Sequence, residues 1–371
     1  MGFLSFLGGV NMIIFDSTIC FEFADAHFVE KYGFVPASEM VREHMEKYDT
    51  PFVNDTYQLA RELGLRSRHL FRLLRYGDRN YDRKELPKKS GGVRVLYAPY
   101  PLLRLVQQHI LHHFLEKMPI SRYATAYSKG KQLRDNASPH VGHTYLLKMD
   151  ITDFFDSITF PMIIGTVFPK DMYPAHIRAM LTRLCCHNDR LPQGAPTSPA
   201  ISNLVMRHFD ETLGAWCEKH DIAYTRYCDD LTFSANVPLF AVYEKAKAML
   251  TAMGFAVNEQ KTHFVKSTNR QTVTGLVVNE KVAVTTEYKR ALRQELYYAT
   301  KFGLADSIEN GKKTAFMENG KPHIERYYHH LRGRLNFLLT IQPDNPWFVK
   351  AQKKLDIVYH WECNENDRYH R

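Results

Sequence analysis

Three aspartates stand where carboxylates could do chemistry together. Asp150 ends the apolar run TYLLKMDI (144–151), and Asp229 and Asp230 sit 79 residues downstream in AYTRYCDDLTFSA (223–235), which reads as two short strands with the acidic pair at the tight turn between them. Each Asp taken alone is ordinary turn punctuation. Brought together at the ends of apolar strands, they would repel one another without a cation, so convergence implies a metal, and carboxylates suit hard Mg²⁺. Two such ions ~3.5–4 Å apart form the clamp of phosphoryl transfer, one activating the attacking hydroxyl and one stabilising the leaving oxygen.

The elements that must position these residues follow from the rest of the chain. Its 371 residues are 44% hydrophobic and 13% aromatic, which excludes disordered, collagen-like and coiled-coil classes and suits two or three structural units. The formal charge is +9, and the stretch from Arg83 to Arg134 holds eleven basic and two acidic residues, the same net excess as the whole chain. A basic block in an otherwise balanced protein suits a polyanion, nucleic acid first, against the plainer reading of a soluble basic face. Six cysteines without a CxxC pair read as reduced structural thiols. No apolar run reaches membrane-spanning length. The start MGFLSFLGGVNMIIF lacks a basic n-region and a cleavage site, so no signal peptide is expected, and Met12 is an alternative initiator.

Residues 1–54 read as an accessory segment. From Asp55 the spacing predicts two helices broken at Gly64; the pair has a helix-turn-helix look, but two packed helices are the simpler account. KKSGGVRVLYAP (88–99) reads as a Gly-Gly turn into a strand ending at Pro99, and LLRLVQQHILHHFLEKM as an amphipathic helix whose His109, His112 and His113 are read as surface residues rather than metal ligands. Helices are expected near 174–186, from 196 to 220 and at 238–253, with a hairpin over 273–285. Amphipathic patterns at 286–303, 324–341 and 345–361 mark 286–371 as a helical C-terminal unit.

YCDD (227–230) resembles the Tyr-x-Asp-Asp turn of reverse transcriptases, and KMDITDFFDSI (148–158) resembles the strand with their first catalytic Asp. LPQGAPTSP (191–199) is similar to the family's Leu-Pro-Gln-Gly segment, and GFAVNEQKT (254–262) to its Gly…Asn…Lys-Thr element. Asn136-Ala137 with His140, and Val273-Thr274-Gly275, narrow the resemblance to the retron reverse transcriptases of bacteria, over roughly residues 55–340. The resemblance implies an α/β (α+β) right-hand polymerase: fingers over ~55–145 and part of 165–195, a palm of antiparallel sheet and helices completing the 55–285 unit, and a helical thumb from 286.

Roles follow by the same resemblance. Asp150, Asp229 and Asp230 would bind two Mg²⁺, with the Ile151 carbonyl a further ligand, while Asp153 and Asp156 would not. Phe155 would be the gate under the sugar that clashes with a 2′-OH, leaving Phe154 to the core. Gln193 would line the nucleotide pocket, with Ala195 and Pro196 shaping its floor and Thr197 and Ser198 capping the next helix. Arg94, Lys129, Lys131 and Arg134 are candidates for the triphosphate, Arg94 and Lys131 ahead and Arg134 behind them. Lys261 matches the lysine that protonates pyrophosphate; an ordinary surface lysine is its alternative. Asn136, His140, Arg326, Arg332 and Arg334 would contact template or structured RNA, as would His330.

The function implied is synthesis of DNA from dNTPs on a dedicated msr-msd-type non-coding RNA, primed by a 2′-OH within it and giving a branched RNA–DNA hybrid. An effector or toxin protein, host RNase H to remove template RNA, and a cytoplasmic location in a bacterium complete the expectation, with no membrane partner. Another bacterial reverse transcriptase class, group II intron-like or otherwise defence-associated, is the alternative, and an RNA-binding scaffold with a vestigial site the more distant one.

Overall fold

The first regular structure along the chain is an antiparallel meander of β1 (Ser5–Leu7), β2 (Val10–Phe15) and β3 (Thr18–Phe23). The computed structural model describes the backbone at 5–7, 10–15, 18–23, 43–44, 46–87 and 91–369, and side chains at 43–44, 46–87 and 91–363. Most of the segment 1–54 therefore lies outside the described residues.

Asp55 caps α1 (Thr56–Glu62) by accepting from the Tyr57 and Gln58 main-chain N–H groups at 2.7 and 2.9 Å. After Gly64 comes α2 (Ser67–Tyr76); Leu59, Leu63, Leu70 and Leu73 bury one shared face, so the two helices pack as a pair. β4 (Tyr81–Pro87) and β5 (Val93–Pro99) form a long antiparallel hairpin in register from Tyr81↔Pro99 to Pro87↔Val93. Pro99 ends β5 and Pro101 opens α3 (Pro101–Ile110), where a missing N–H costs nothing. α3 then widens into a π turn over Leu111–Leu115. A short α4 (Leu133–Ala137) follows, closed by a capping box between Gln132 and Asp135.

The central sheet joins β6 (Tyr145–Asp150), β7 (Ala223–Tyr227), β8 (Asp230–Ala235) and β9 (His263–Lys266), all antiparallel, in the order β7-β8-β6-β9. Between β6 and β7 run α5 (Phe154–Ser157), α6 (Phe160–Thr166), α7 (Ala175–Cys185) and the 21-residue α8 (Ser198–Glu218), which packs along β7. α9 (Phe240–Ala252) follows β8. β10 (Thr272–Val273) and β11 (Leu276–Val277) flank Thr274 and Gly275, at φ 46° and 81°, the two left-handed residues a type I′ hairpin turn requires.

The C-terminal unit contains α10 (Thr286–Phe302), α11 (Leu304–Asn310), the small hairpin β12 (Met317–Glu318) and β13 (Lys321–Pro322), α12 (Ile324–Ile341) and α13 (Pro346–Tyr369). The three expected helices are there, with α11 and the hairpin added between the first two. Among the described residues there are two cores: one runs from α1 through the central sheet to Phe255, the other joins Leu292, Leu331, Leu335 and Leu355 to Ala137, Leu146 and Val273. The C-terminal helices thus share apolar surface with the sheet and with the Thr274–Gly275 hairpin. Cys185, Cys186, Cys217 and Cys228 are free thiols in the interior.

Candidate active site

Strand register brings the aspartates together. Asp150, the last residue of β6, pairs directly with Asp230, the first of β8, and Asp230 also pairs with Tyr227 across the β7–β8 turn. The Ile151 N–H donates to the Asp229 carbonyl at 3.1 Å, tying the end of β6 to the turn. Cys228 in that turn takes φ 60°, a left-handed conformation that costs a non-glycine residue energy and needs outside support.

The support comes from Arg226, which is fully buried. Its Nη1 donates to the Cys228 carbonyl at 3.0 Å, while Nε and Nη2 reach both oxygens of Asp210 on α8 at 2.6 to 3.1 Å. Nη2 also reaches Asn203 Oδ1 at 3.2 Å, and the Tyr224 hydroxyl donates to Asp210 Oδ1 at 2.7 Å. Neither Arg226 nor Asp210 exposes any side-chain surface, so the charge of each is answered by the other and by these hydrogen bonds.

Electrostatics at the turn favour an added cation. Burial, then the Asp229 and Asp150 carboxylates, push Asp230 up to about 6, and burial with Asp150 raises Asp229. Lys261 lies 3.0 and 3.1 Å from the two Asp150 oxygens, and that contact raises the ammonium above its usual value. Asn258 sets this lysine: its side chain accepts from the Lys261 N–H at 3.3 Å, and its own N–H donates to the Asp150 carbonyl at 2.8 Å. The Asp150, Asp229 and Asp230 side chains offer oxygen donors only, the kind that fits hard divalent cations.

A cleft of about 1040 Å³ opens in front of the aspartates. Arg94 on β5, Arg104 and Gln108 on α3, Phe155, Gln193 and Lys261 are among its lining residues. The Gln193 loop is sewn to β5, since the Tyr97 N–H donates to the Gln193 carbonyl at 2.7 Å. Gly194 sits at φ 111°, where a Cβ would come 3.2 Å from the Tyr97 carbonyl oxygen, so the close approach of loop and strand needs glycine. Ser198 Oγ donates to the Pro192 carbonyl at 2.7 Å and closes the loop instead of capping α8. Phe154 is buried in the core and Phe155 half-buried against the cleft.

Several residues lie elsewhere than the sequence suggests. Lys131 and Arg134 are exposed on the segment around α4 and do not line the cleft; the second cleft arginine is Arg104, four residues before Gln108 on one face of α3. Asn136 and His140 are interior residues rather than RNA contacts. Asn136 Oδ1 accepts from Thr125 Oγ1 at 2.7 Å, and its Nδ2 is 3.4 Å from Thr274 Oγ1, joining α4 to the Thr274–Gly275 turn. His140 lies 2.7 Å from Ser234 Oγ and 2.9 Å from Thr225 Oγ1, and burial pushes it down to about 3. Arg332 pairs with Asp356 at 2.9 Å and Arg334 with Glu295, so both are spent on packing α12 against its neighbours, while Arg326 stays exposed. The i, i+4 spacing of Arg104 and Gln108 was the available signal for the missed pair. Nothing local marks the union of Arg226 with Asp210.

Comparison with known proteins gives the chain a family. Residues 86–281 match the family described as reverse transcriptase (RNA-dependent DNA polymerase). The retron Mx65 reverse transcriptase of Myxococcus xanthus is 31% identical over 296 residues, 74% of this chain and 65% of that protein, so this chain spans just under two thirds of that relative. The retron Ec86 reverse transcriptase of Escherichia coli is 30% identical over 298 residues, 78% of this chain and 86% of that protein. The retron Ec83 reverse transcriptase of Escherichia coli is 29% identical over 280 residues, covering 71% and 84%. A solved telomerase from Candida albicans covers 75% of this chain at 12% identity with a TM-score of 0.42.

Proposed function

Because the chain belongs to the retron reverse transcriptases, RNA-directed DNA polymerases of right-hand fold, we propose that it copies one cognate msr-msd-type RNA into DNA. Synthesis starts from a guanosine 2′-OH within that RNA and leaves a branched RNA–DNA hybrid, msDNA. The observation that carries the reading is that four separated sequence elements, around Asp150, Gln193, Asp229 and Lys261, line one cleft.

Asp150, Asp229, Asp230 and the Ile151 carbonyl would hold two Mg²⁺. Bound there, the ions supply the acidity that frees the primer hydroxyl and the charge that steadies the leaving oxygen. The chain's own residues do the rest. Arg94 and Arg104 would offset the triphosphate charge, Gln193 would line the nucleotide pocket, and Phe155 would exclude a ribose 2′-OH. Lys261 would give a proton to pyrophosphate. Arg326 contributes to the RNA-binding face of the thumb.

In this reading the enzyme works in the cytoplasm of a bacterium within an anti-phage system, with an effector or toxin protein bound to its product and host RNase H trimming the template. No helix among the described residues is long and apolar enough to cross a membrane. Purification from the native locus, followed by sequencing of the bound nucleic acid, tests the reading. A branched RNA–DNA species that disappears on Asp229→Asn/Asp230→Asn supports it. RNA alone in both samples would make the protein an RNA-binding scaffold.

A further inference from the structure

Outside the cleft, α1 meets α3 and its π turn through Glu62, His109 and His113. His109 Nε2 lies 3.2 Å from Glu62 Oε1, and the His113 ring stacks on His109 with centroids 4.1 Å apart and planes 18° apart. The ligand atoms these three residues offer all lie within 4.8 Å of one another, the one such set of three His, Cys, Asp or Glu among the described residues. The Glu62 side chain is only 7% exposed. A carboxylate so enclosed needs a counter-charge, and an imidazole supplies one only while protonated.

We propose that Glu62, His109 and His113 form a binding site for a divalent transition-metal ion of the Zn²⁺ class, with water completing the coordination. Two histidines four residues apart reach one side of a helix, and two imidazoles with one carboxylate are a donor set that suits Zn²⁺. The plainer alternative is a Glu62–His109 ion pair. It leaves His113 only a stacking contact with His109. A metal ion would use all three side chains, the two stacked rings turning so that their in-plane lone pairs converge on it.

The nitrogen donors separate this site from the all-oxygen set of the aspartates, which suits Mg²⁺. The ion would tie α1 to the helix that carries Arg104 and Gln108 into the cleft, bracing one wall of the nucleotide site from behind. The proposal does not depend on the reverse transcription reading.

Titration calorimetry on the full chain, stripped with EDTA and held in excess Mg²⁺, tests it with Zn²⁺ alone as the probe. One equivalent of tight Zn²⁺ is expected, kept in Asp229→Asn/Asp230→Asn. In His109→Gln and in His113→Gln the affinity should fall by more than the ~10–100-fold that loss of an outer-sphere partner costs. No Zn²⁺ uptake by the wild-type chain overturns the proposal, as does wild-type affinity in the histidine variants. If those variants unfold, Co²⁺ added to the intact wild-type chain decides. A visible absorption band abolished by Glu62→Gln supports the site, and its absence, or persistence in that variant, refutes it.

Discussion

Arg226 Nη1 holds the carbonyl of Cys228 at 3.0 Å, and through that bond the left-handed turn presenting Asp229 is anchored to Asp210 on α8. Removing one member of a buried ion pair strands the other charge, at a cost of about 3–5 kcal/mol. Asp210→Asn should therefore lower the urea midpoint sharply. Replacing both partners by Leu removes both charges and should recover much of that stability, because the desolvation penalty goes with them. It also removes the donor to Cys228. The double variant should be well folded by denaturant titration yet slow in primer extension, and full activity in it would show that the turn needs no such anchor.

His140 gives the protein an acid weakness that has nothing to do with its cleft. Burial holds the folded ring at about 3, while an unfolded histidine titrates near ~6.5. Between those values the unfolded chain binds the extra proton, so stability is full above ~6.5 and drains as the pH falls toward the folded value. At about pH 4.5 this one residue should have cost on the order of 3 kcal/mol. His140→Gln, which can still bond Ser234 and Thr225, should flatten that part of a plot of urea midpoint against pH; an unchanged slope would place the acid sensitivity elsewhere.

The aspartates were legible because strand and turn are local patterns: an apolar run ending in Asp150, and an acidic pair between two short alternating segments. Thr274 and Gly275 were not: the hairpin expected over 273–285 puts them at its start, whereas they form the turn between β10 and β11. Nor were residues whose role depends on a distant partner. Arg226 and Asp210 meet only because β7 packs along α8, and Glu62 meets His109 only because α1 packs against α3. Charge alone does not say which basic residues reach the cleft. Lys131 and Arg134 lie in the same basic stretch as Arg94 and Arg104, yet only the last two line the cleft; Arg332 and Arg334 lie on a helix surface that Asp356 and Glu295 cover.

Arg104 and Lys131 give a direct comparison between position and mere charge. Arg104 lines the cleft and Lys131 does not. If Arg104 meets the triphosphate, Arg104→Ala should raise the KM for dNTPs about 10-fold, the order of one lost hydrogen bond to a charged group. Lys131→Ala should leave that KM unchanged while weakening RNA binding at low salt, since a distant exposed lysine acts through long-range attraction alone. Steady-state extension on a fixed template reads both, and the reverse ranking would return the triphosphate to Lys131.

Adjacent phenylalanines separate packing from selectivity. Phe154 is 2% exposed and belongs to the core, whereas Phe155 meets it edge-on, with ring centroids 5.5 Å apart, and turns to the cleft. Phe154→Ala should cost about 3–5 kcal/mol of stability through the cavity it leaves, with the preference for dNTP over rNTP intact. Phe155→Ala should cost less stability, because its ring is less deeply buried. It should also admit the ribose 2′-OH, raising rNTP incorporation relative to dNTP by at least about 10-fold if roughly 1.4 kcal/mol of steric exclusion is lost. Competing the two nucleotides in one primer-extension reaction measures the ratio directly. A Phe155→Ala enzyme that still rejects rNTPs would move the sugar gate to another wall of the cleft.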